Sequence, residues 1–154
     1  MESFKKAVSY KRTELGMTKA VKVPQSNGNV KNAYKFALLL SKISQKTEEI
    51  QQRMDDLDSI SKQAKKNGDE EKEKAANKDY ADLMSEMFEF NIGNIDRAEE
   101  YLTESLKLNG KQKAKLDELS FDDTVDICQD LAMRVMGMDP DKDITKDDKE
   151  AEKK

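Results

Sequence analysis

Histidine and tryptophan are both absent from the 154 residues, and the single cysteine is Cys128. Without histidine there is no Ser–His or Cys–His pair, no imidazole acid or base near neutral pH, and no His-containing zinc site. One cysteine allows no intramolecular disulfide, in keeping with a reducing compartment. A di-iron helical bundle would want Glu-x-x-His pairs, and a phosphate-binding loop would want clustered glycines; neither motif occurs. Carboxylates are plentiful, but none stands in an apolar stretch that would raise its pKa. Long apolar runs are missing as well. The longest, Phe36-Ala37-Leu38-Leu39-Leu40, falls far short of the ~20 residues needed to span a bilayer. The opening Met1-Glu-Ser-Phe-Lys-Lys6 lacks the apolar run of a secretory signal, so none is expected. These absences remove most catalytic classes. A non-enzyme is expected, with no cofactor, no metal and no membrane contact.

Hydrophobic residues make up 36% of the chain and charged residues 39%. Typical globular usage is roughly 45–50% and about 25%, so a compact core can use only part of this chain. The formal net charge is −4, which lacks the basic surplus a nucleic-acid binder needs. Residues 1–30 carry six basic side chains (Lys5, Lys6, Lys11, Arg12, Lys19, Lys22) against Glu2 and Glu14, a local +4. The remainder therefore carries −8, a basic arm on an acidic body.

Only 2 prolines interrupt the chain, which leaves room for long helices. Within residues 1–29, Val21-Lys22-Val23 alternates like a short strand until Pro24 stops it, and Gln25–Asn29 is turn-rich. This segment is expected to be a flexible arm. From about Val30 the apolar rhythm becomes helical. Phe36, Leu40, Ile43, Thr47, Ile50, Met54 and Leu57 are spaced 4, 3, 4, 3, 4, 3, and the rhythm continues to Ser61 and Ala64. Asn67-Gly68 ends it, with Lys62, Lys65 and Lys66 where cations complement the helix dipole. A second helix is predicted from about Asp69 to Asn91, with acids at its start and a seam of Ala76, Tyr80, Leu83, Met87 and Phe90. Two seams across a short turn read as an antiparallel helical hairpin whose longer first helix, of roughly 35 residues, overhangs and needs cover.

Gly93 is expected to break the pattern, with Asn94 capping a short helix that carries Ile95, Ala98, Tyr101, Leu102 and Leu106. After Asn109-Gly110, residues Lys111–Leu119 read as a short helix. Ser120 and Asp123 resemble a capping box for a last helix with one wide apolar face: Phe121, Val125, Cys128, Leu131, Ala132, Val135 and Met136. Gly137 fits a left-handed C-cap. Residues 139–154 are nearly all charged and are expected to be disordered. The fold class is thus all-α: an antiparallel helical hairpin with a long first helix plus shorter C-terminal helices in residues 30–138, a flexible N-terminal arm and a disordered acidic/basic tail.

Acids at Asp139, Asp141, Asp143, Asp147 and Glu150 match the liganding spacing of an EF-hand calcium loop. Ile144 stands where that loop needs glycine, and only four residues follow Glu150, so a solvated charged tail is the plainer reading. Lys11–Lys19 is similar to the start of a helix-turn-helix, but Val21-Lys-Val-Pro24 follows where the recognition helix belongs. Cys128 falls on the apolar face of the last helix and reads as a small filler. Met84, Met87, Met133, Met136 and Met138 fit either a core or an adaptable binding surface.

One resemblance is specific enough to name. Met87–Ile95, Tyr101-Leu102, Leu106-Lys-Leu108, Leu119–Thr124 and Leu131–Met138, above all the ending Arg134-Val-Met-Gly-Met138, resemble the tail assembly chaperones of long-tailed phages of Gram-positive bacteria. The resemblance covers roughly residues 30–138. It implies a non-catalytic helical protein that self-associates as a homo-oligomer. Such a protein coats the tape measure protein in the host cell cytoplasm before tail tube protein assembles around it, and it is not retained in the mature virion. Family members can also exist in a frameshifted longer form. The partner-binding surface is expected on the first seam (Phe36, Leu40, Ile43, Ile50, Met54, Leu57) and the last helix (Phe121, Val125, Leu131, Val135, Met136), with Ile50→Asp predicted to abolish partner binding or self-association. The alternatives are a coiled-coil adaptor or structural protein of another assembly, and a nucleic-acid regulator using the basic arm.

Overall fold

The computed structural model describes residues 6–138. The acidic series Asp139–Glu150, the tail expected to be disordered and residues 1–5 lie outside the described residues. Two strands come first, β1 (Ala7–Tyr10) and β2 (Val21–Pro24), followed by four helices: α1 (Asn27–Asn67), α2 (Glu70–Leu106), α3 (Gly110–Glu118) and α4 (Phe121–Val135). The class is all-α, as the seams predict, with one short antiparallel strand pair added. The chain divides into two compact units. One comprises the segments up to Leu38 and from Asp96 onward; the other is Leu39–Ile95.

The Leu39–Ile95 unit is an antiparallel helical hairpin. Ile50, Met54 and Leu83 form its buried centre, with Leu57, Tyr80, Met84, Met87 and Phe90 packed against them. Farther toward the turn, Ser61 Oγ donates to Asn77 Oδ1 at 2.7 Å and Ala64 and Ala76 are buried. Toward the other end, Lys46 meets Glu86 at 3.7 Å and lies 5.2 Å from the Phe90 ring centroid. The turn is closed by Gly68, whose φ of +70 suits glycine. Gly68 N–H donates to the Lys65 carbonyl and Asp69 N–H to the Ala64 carbonyl, which satisfies the last carbonyls of α1. Asp69 in turn caps α2, its carboxylate accepting from Lys72 N–H at 3.1 Å.

Two sequence expectations change. First, α2 does not end at Gly93 but runs through it to Leu106, and Asn94 is a buried mid-helix residue rather than a cap. Glycine inside a helix costs only about 1 kcal/mol relative to alanine, and the apolar register on both sides of Gly93 outweighs that. α2 thus has 37 residues against 41 for α1, so the two helices are closer in length than the sequence suggests. Second, residues 7–24 are no flexible arm. Val8 pairs with Val23 and Tyr10 with Val21 in an antiparallel ladder, and Leu15 and Met17 between the strands are buried. Alternation on both strands and a buried connection fix the segment, features that the lysine-rich composition obscures.

In the unit built from both ends of the chain, buried side chains come from β1 and β2 (Tyr10, Val23), α1 (Ala33, Phe36), α2 (Leu102, Leu106), α3 (Leu116) and α4 (Leu131, Val135). Phe36 and Tyr101 stack at 4.8 Å between centroids. Helix α3 starts with a full capping box between Asn109 and Gln112, and α4 starts as predicted, Ser120 Oγ accepting from Asp123 N–H at 3.1 Å. Gly137, with φ of +88, follows α4 as expected; its N–H reaches the Arg134 carbonyl and Met138 N–H the Met133 carbonyl.

Candidate interaction surface

The residues expected to bind a partner divide by exposure. Phe36, Ile50, Met54, Leu131 and Val135 are buried within the chain, and Leu40, Ile43, Leu57, Phe121, Val125 and Met136 are half-buried. The first seam is spent largely on the second: Ile50 and Met54 already contact the Leu83 cluster. An Ile50→Asp change would put a charge into this core, so loss of binding in that variant would report lost folding. The methionines also divide, with Met84 and Met87 against the core and Met138 exposed.

A different apolar row is open. Phe88, Ile92 and Ile95 of α2 are 57%, 60% and 37% exposed. With Ala81 and Ser85, also exposed, they follow the spacing 4, 3, 4, 3, so they line one helix face. The inner seam of α2 uses Ala76, Tyr80, Leu83, Met87 and Phe90. At 100° per residue the two rows stand on nearly opposite sides of the helix. A single partner helix can cover only one of them. The outer row was legible in principle: its spacing is regular once Gly93 is read as helix interior.

Acid borders this row. Between Asp79 and Asp96 the chain holds Asp79, Asp82, Glu86, Glu89 and Asp96 and no basic residue. Within the Leu39–Ile95 unit, a groove of about 480 Å³ is lined by Arg53, Asp56, Asp79, Asp82 and Glu86 over Leu57 and Leu83. Four carboxylates against one guanidinium make this side of the helical hairpin attractive to cations. Asn94 occupies the seam position after Phe90. It is buried, and its side-chain NH₂ has no hydrogen-bond partner among the described residues. A polar residue at a seam position favours one register at a cost in stability.

The second polar cluster is structural in character. Tyr10 Oη donates to Asp130 Oδ2 at 2.8 Å and accepts from Arg12 Nε at 2.9 Å. Arg12 and Arg134 each lie 3.2 Å from the Asp130 carboxylate. Gln25 Nε2 donates to the Arg134 and Val135 carbonyls, so the end of α4 is covered by the segment after β2. Burial pushes the Tyr10 phenol well above its ordinary value. This network ties the basic N-terminal segment to α4 through side chains, and Arg12 is committed to that task.

Cys128 is fully buried, as its place on the apolar face predicts, with Sγ 3.5 Å from the Ala98 carbonyl oxygen. Burial pushes its thiol up to about 12, the opposite of what a nucleophile requires. Burial, then the neighbouring carboxylates of Asp117 and Asp96, hold Glu99 above the usual carboxylate range. Among the described residues no group of three or more Cys, Asp or Glu is placed to hold a metal ion, and no helix is long and apolar enough to cross a membrane. No family model, curated protein or solved structure matches the chain.

Proposed function

We propose that this chain is a tail assembly chaperone of a long-tailed phage, a non-catalytic protein that binds the tape measure protein and keeps it soluble during tail morphogenesis. The observation that carries the reading is the exposed row Phe88, Ile92 and Ile95 on a helix of an otherwise highly charged chain. Such a row can take up the apolar face of a client helix while the charged exterior keeps the pair in solution. The residues of the resemblance, among them Met87–Ile95 and Arg134–Met138, support the choice of family. On this reading the protein works in the host cytoplasm and leaves before the virion is complete.

The proposed client surface is the outer face of α2, in place of the Phe36–Leu57 seam and the last helix, Phe121 to Met136, that the sequence suggests. The test is a pull-down of tagged protein from the producing cells with mass spectrometry. Recovery of a long tape-measure-like protein is expected, together with its loss when Phe88→Asp and Ile92→Asp are introduced. A second reading, a coiled-coil adaptor that stays in its final assembly, is favoured by the regular two-seam helical hairpin. Presence of the protein in purified mature particles, with no tape measure protein recovered, selects the adaptor.

A further inference from the structure

The strand pair has two outer edges, and they differ. Val8 stands opposite Val23 and Ser9 opposite Lys22, and one step beyond the ladder Gln25 N–H donates to the Lys6 carbonyl at 2.7 Å. Lys6 and Gln25 continue the same register, so the hydrogen-bonded pairs fall at Lys6, Val8 and Tyr10. The N–H and C=O groups of Ala7 and Ser9 therefore point away from β2, and those of Lys22 and the Pro24 carbonyl point away from β1. The β2 edge is blunted: Pro24 has no N–H, and its carbonyl accepts from Asn29 Nδ2 at 2.8 Å. The β1 edge is open. Ala7 and Ser9 are exposed, and among the described residues nothing bonds to their outward N–H and C=O groups. A groove of about 590 Å³ adjoins this edge, lined by Ser9 and Tyr10, the segment Lys11–Glu14, and Asp130 and Arg134 of α4. Both carboxylates in the groove face an arginine: Glu14 lies 3.3 Å from Arg12, and Asp130 lies 3.2 Å from Arg12 and from Arg134. Lys11 is exposed and adds an uncompensated positive charge. Lysines thus bracket the open strand, Lys6-Ala-Val-Ser-Tyr-Lys11.

We infer that the free edge of β1 takes an acidic, extended segment of a partner protein as a third strand. The main chain of that segment pairs with the outward N–H and C=O groups of Ala7 and Ser9, which supplies sequence-independent attraction. Lys6 and Lys11 then select for carboxylates along it. A helix is a poor occupant of this edge, because its own N–H and C=O groups are already bonded to each other. The edge also disfavours a second copy of itself. Two β1 strands fully overlapped and antiparallel set Lys6 against Lys11, and a parallel pair sets each lysine beside its own copy. The strand site uses no residue of the exposed α2 row and holds whatever client that row takes.

The test uses the full chain and a fluorescein-labelled peptide that alternates valine and glutamate, with a valine–lysine peptide as control. Fluorescence anisotropy should show saturable binding of the acidic peptide, weakened by salt, and none of the basic one. Ser9→Pro removes one outward N–H at a strand position where proline leaves the β1–β2 ladder intact, and circular dichroism checks that it does. This variant should bind the acidic peptide about tenfold more weakly. Lys11→Glu should also weaken that binding and leave the fold unchanged. In wild type, the amides of Ala7 and Ser9 should exchange more slowly once the acidic peptide is added, a readout that stands even if Ser9→Pro fails to fold. No binding of the acidic peptide, equal binding of both peptides, a folded Ser9→Pro variant that binds as wild type does, or unchanged exchange at Ala7 and Ser9 would each overturn the proposal.

Discussion

Helix α4 buries Thr124, Ile127, Cys128, Leu131, Ala132 and Val135, six of its fifteen residues, whereas α2 between Glu70 and Ile95 buries only Ala76, Leu83 and Asn94. The difference lies in what surrounds each helix. The unit made from the two ends of the chain brings two strands and portions of all four helices together, so its helices are covered from several sides. The Leu39–Ile95 unit has two helices and nothing else, so each can hide one row. Phe88, Ile92 and Ile95 are apolar in a place where folding gives them no cover, and this makes the thinner unit the better candidate for binding.

The comparison predicts unequal responses to core damage. Leu102 and Leu131 have no exposed surface, and Leu131→Ala should cost about 2–5 kcal/mol. Leu83→Ala, in the thinner seam, should lie at the low end of that range or below because a two-helix interface relaxes more easily. Ile92→Asp should stay within about 0.5 kcal/mol, since its row is open. Urea titrations of the three variants check the order, and equal losses for Leu83 and Ile92 would break the distinction between inner and outer rows.

Alkaline pH separates the two units in a second way. Burial pushes the Cys128 thiol from 9.0 to about 12 and the Tyr101 phenol from 10.0 to about 12, and it raises Tyr10 further. All three groups stay protonated in the folded state where the unfolded chain has lost the protons. Their contribution is therefore fully present below pH 9; that of Cys128 and Tyr101 is lost as pH rises toward about 12, and that of Tyr10 persists further. All three belong to the unit made from the chain's ends. Amide exchange along a pH series should accordingly show α4 and the strand pair loosening while Ile50 and Leu83 keep their relative protection. A Leu39–Ile95 unit that opens first would contradict this assignment of the titrating groups.

Much of the fold was legible because its signals are periodic. The two seams, the Asn67-Gly68 turn and the start and stop of α4 at Ser120 and Gly137 each follow from local chemistry that the chain states outright. The strand pair was not legible to the same degree. Only Val21-Lys22-Val23 alternates visibly, while Ala7–Tyr10 shows its role through Tyr10, whose partners Arg12 and Asp130 are assembled across more than a hundred residues. The candidate site was missed for a narrower reason: Gly93 looked like a stop and split the row containing Phe88, Ile92 and Ile95 between two elements.

That residue supplies the most specific prediction. Gly93 is half-buried inside α2, and a Cβ built on it meets nothing within 4 Å. Replacing it with alanine adds no clash and removes backbone freedom from the unfolded chain, so Gly93→Ala should raise stability by about 0.5–1 kcal/mol. The gain should appear as a higher urea midpoint and as slower amide exchange for residues 90–97. It should leave exposure of Phe88 and Ile92, and hence partner binding, unchanged. A lowered midpoint would mean that α2 is not continuous at residue 93. Phe88 and Ile95 would then no longer share one straight face, and the proposed surface would lose its geometry.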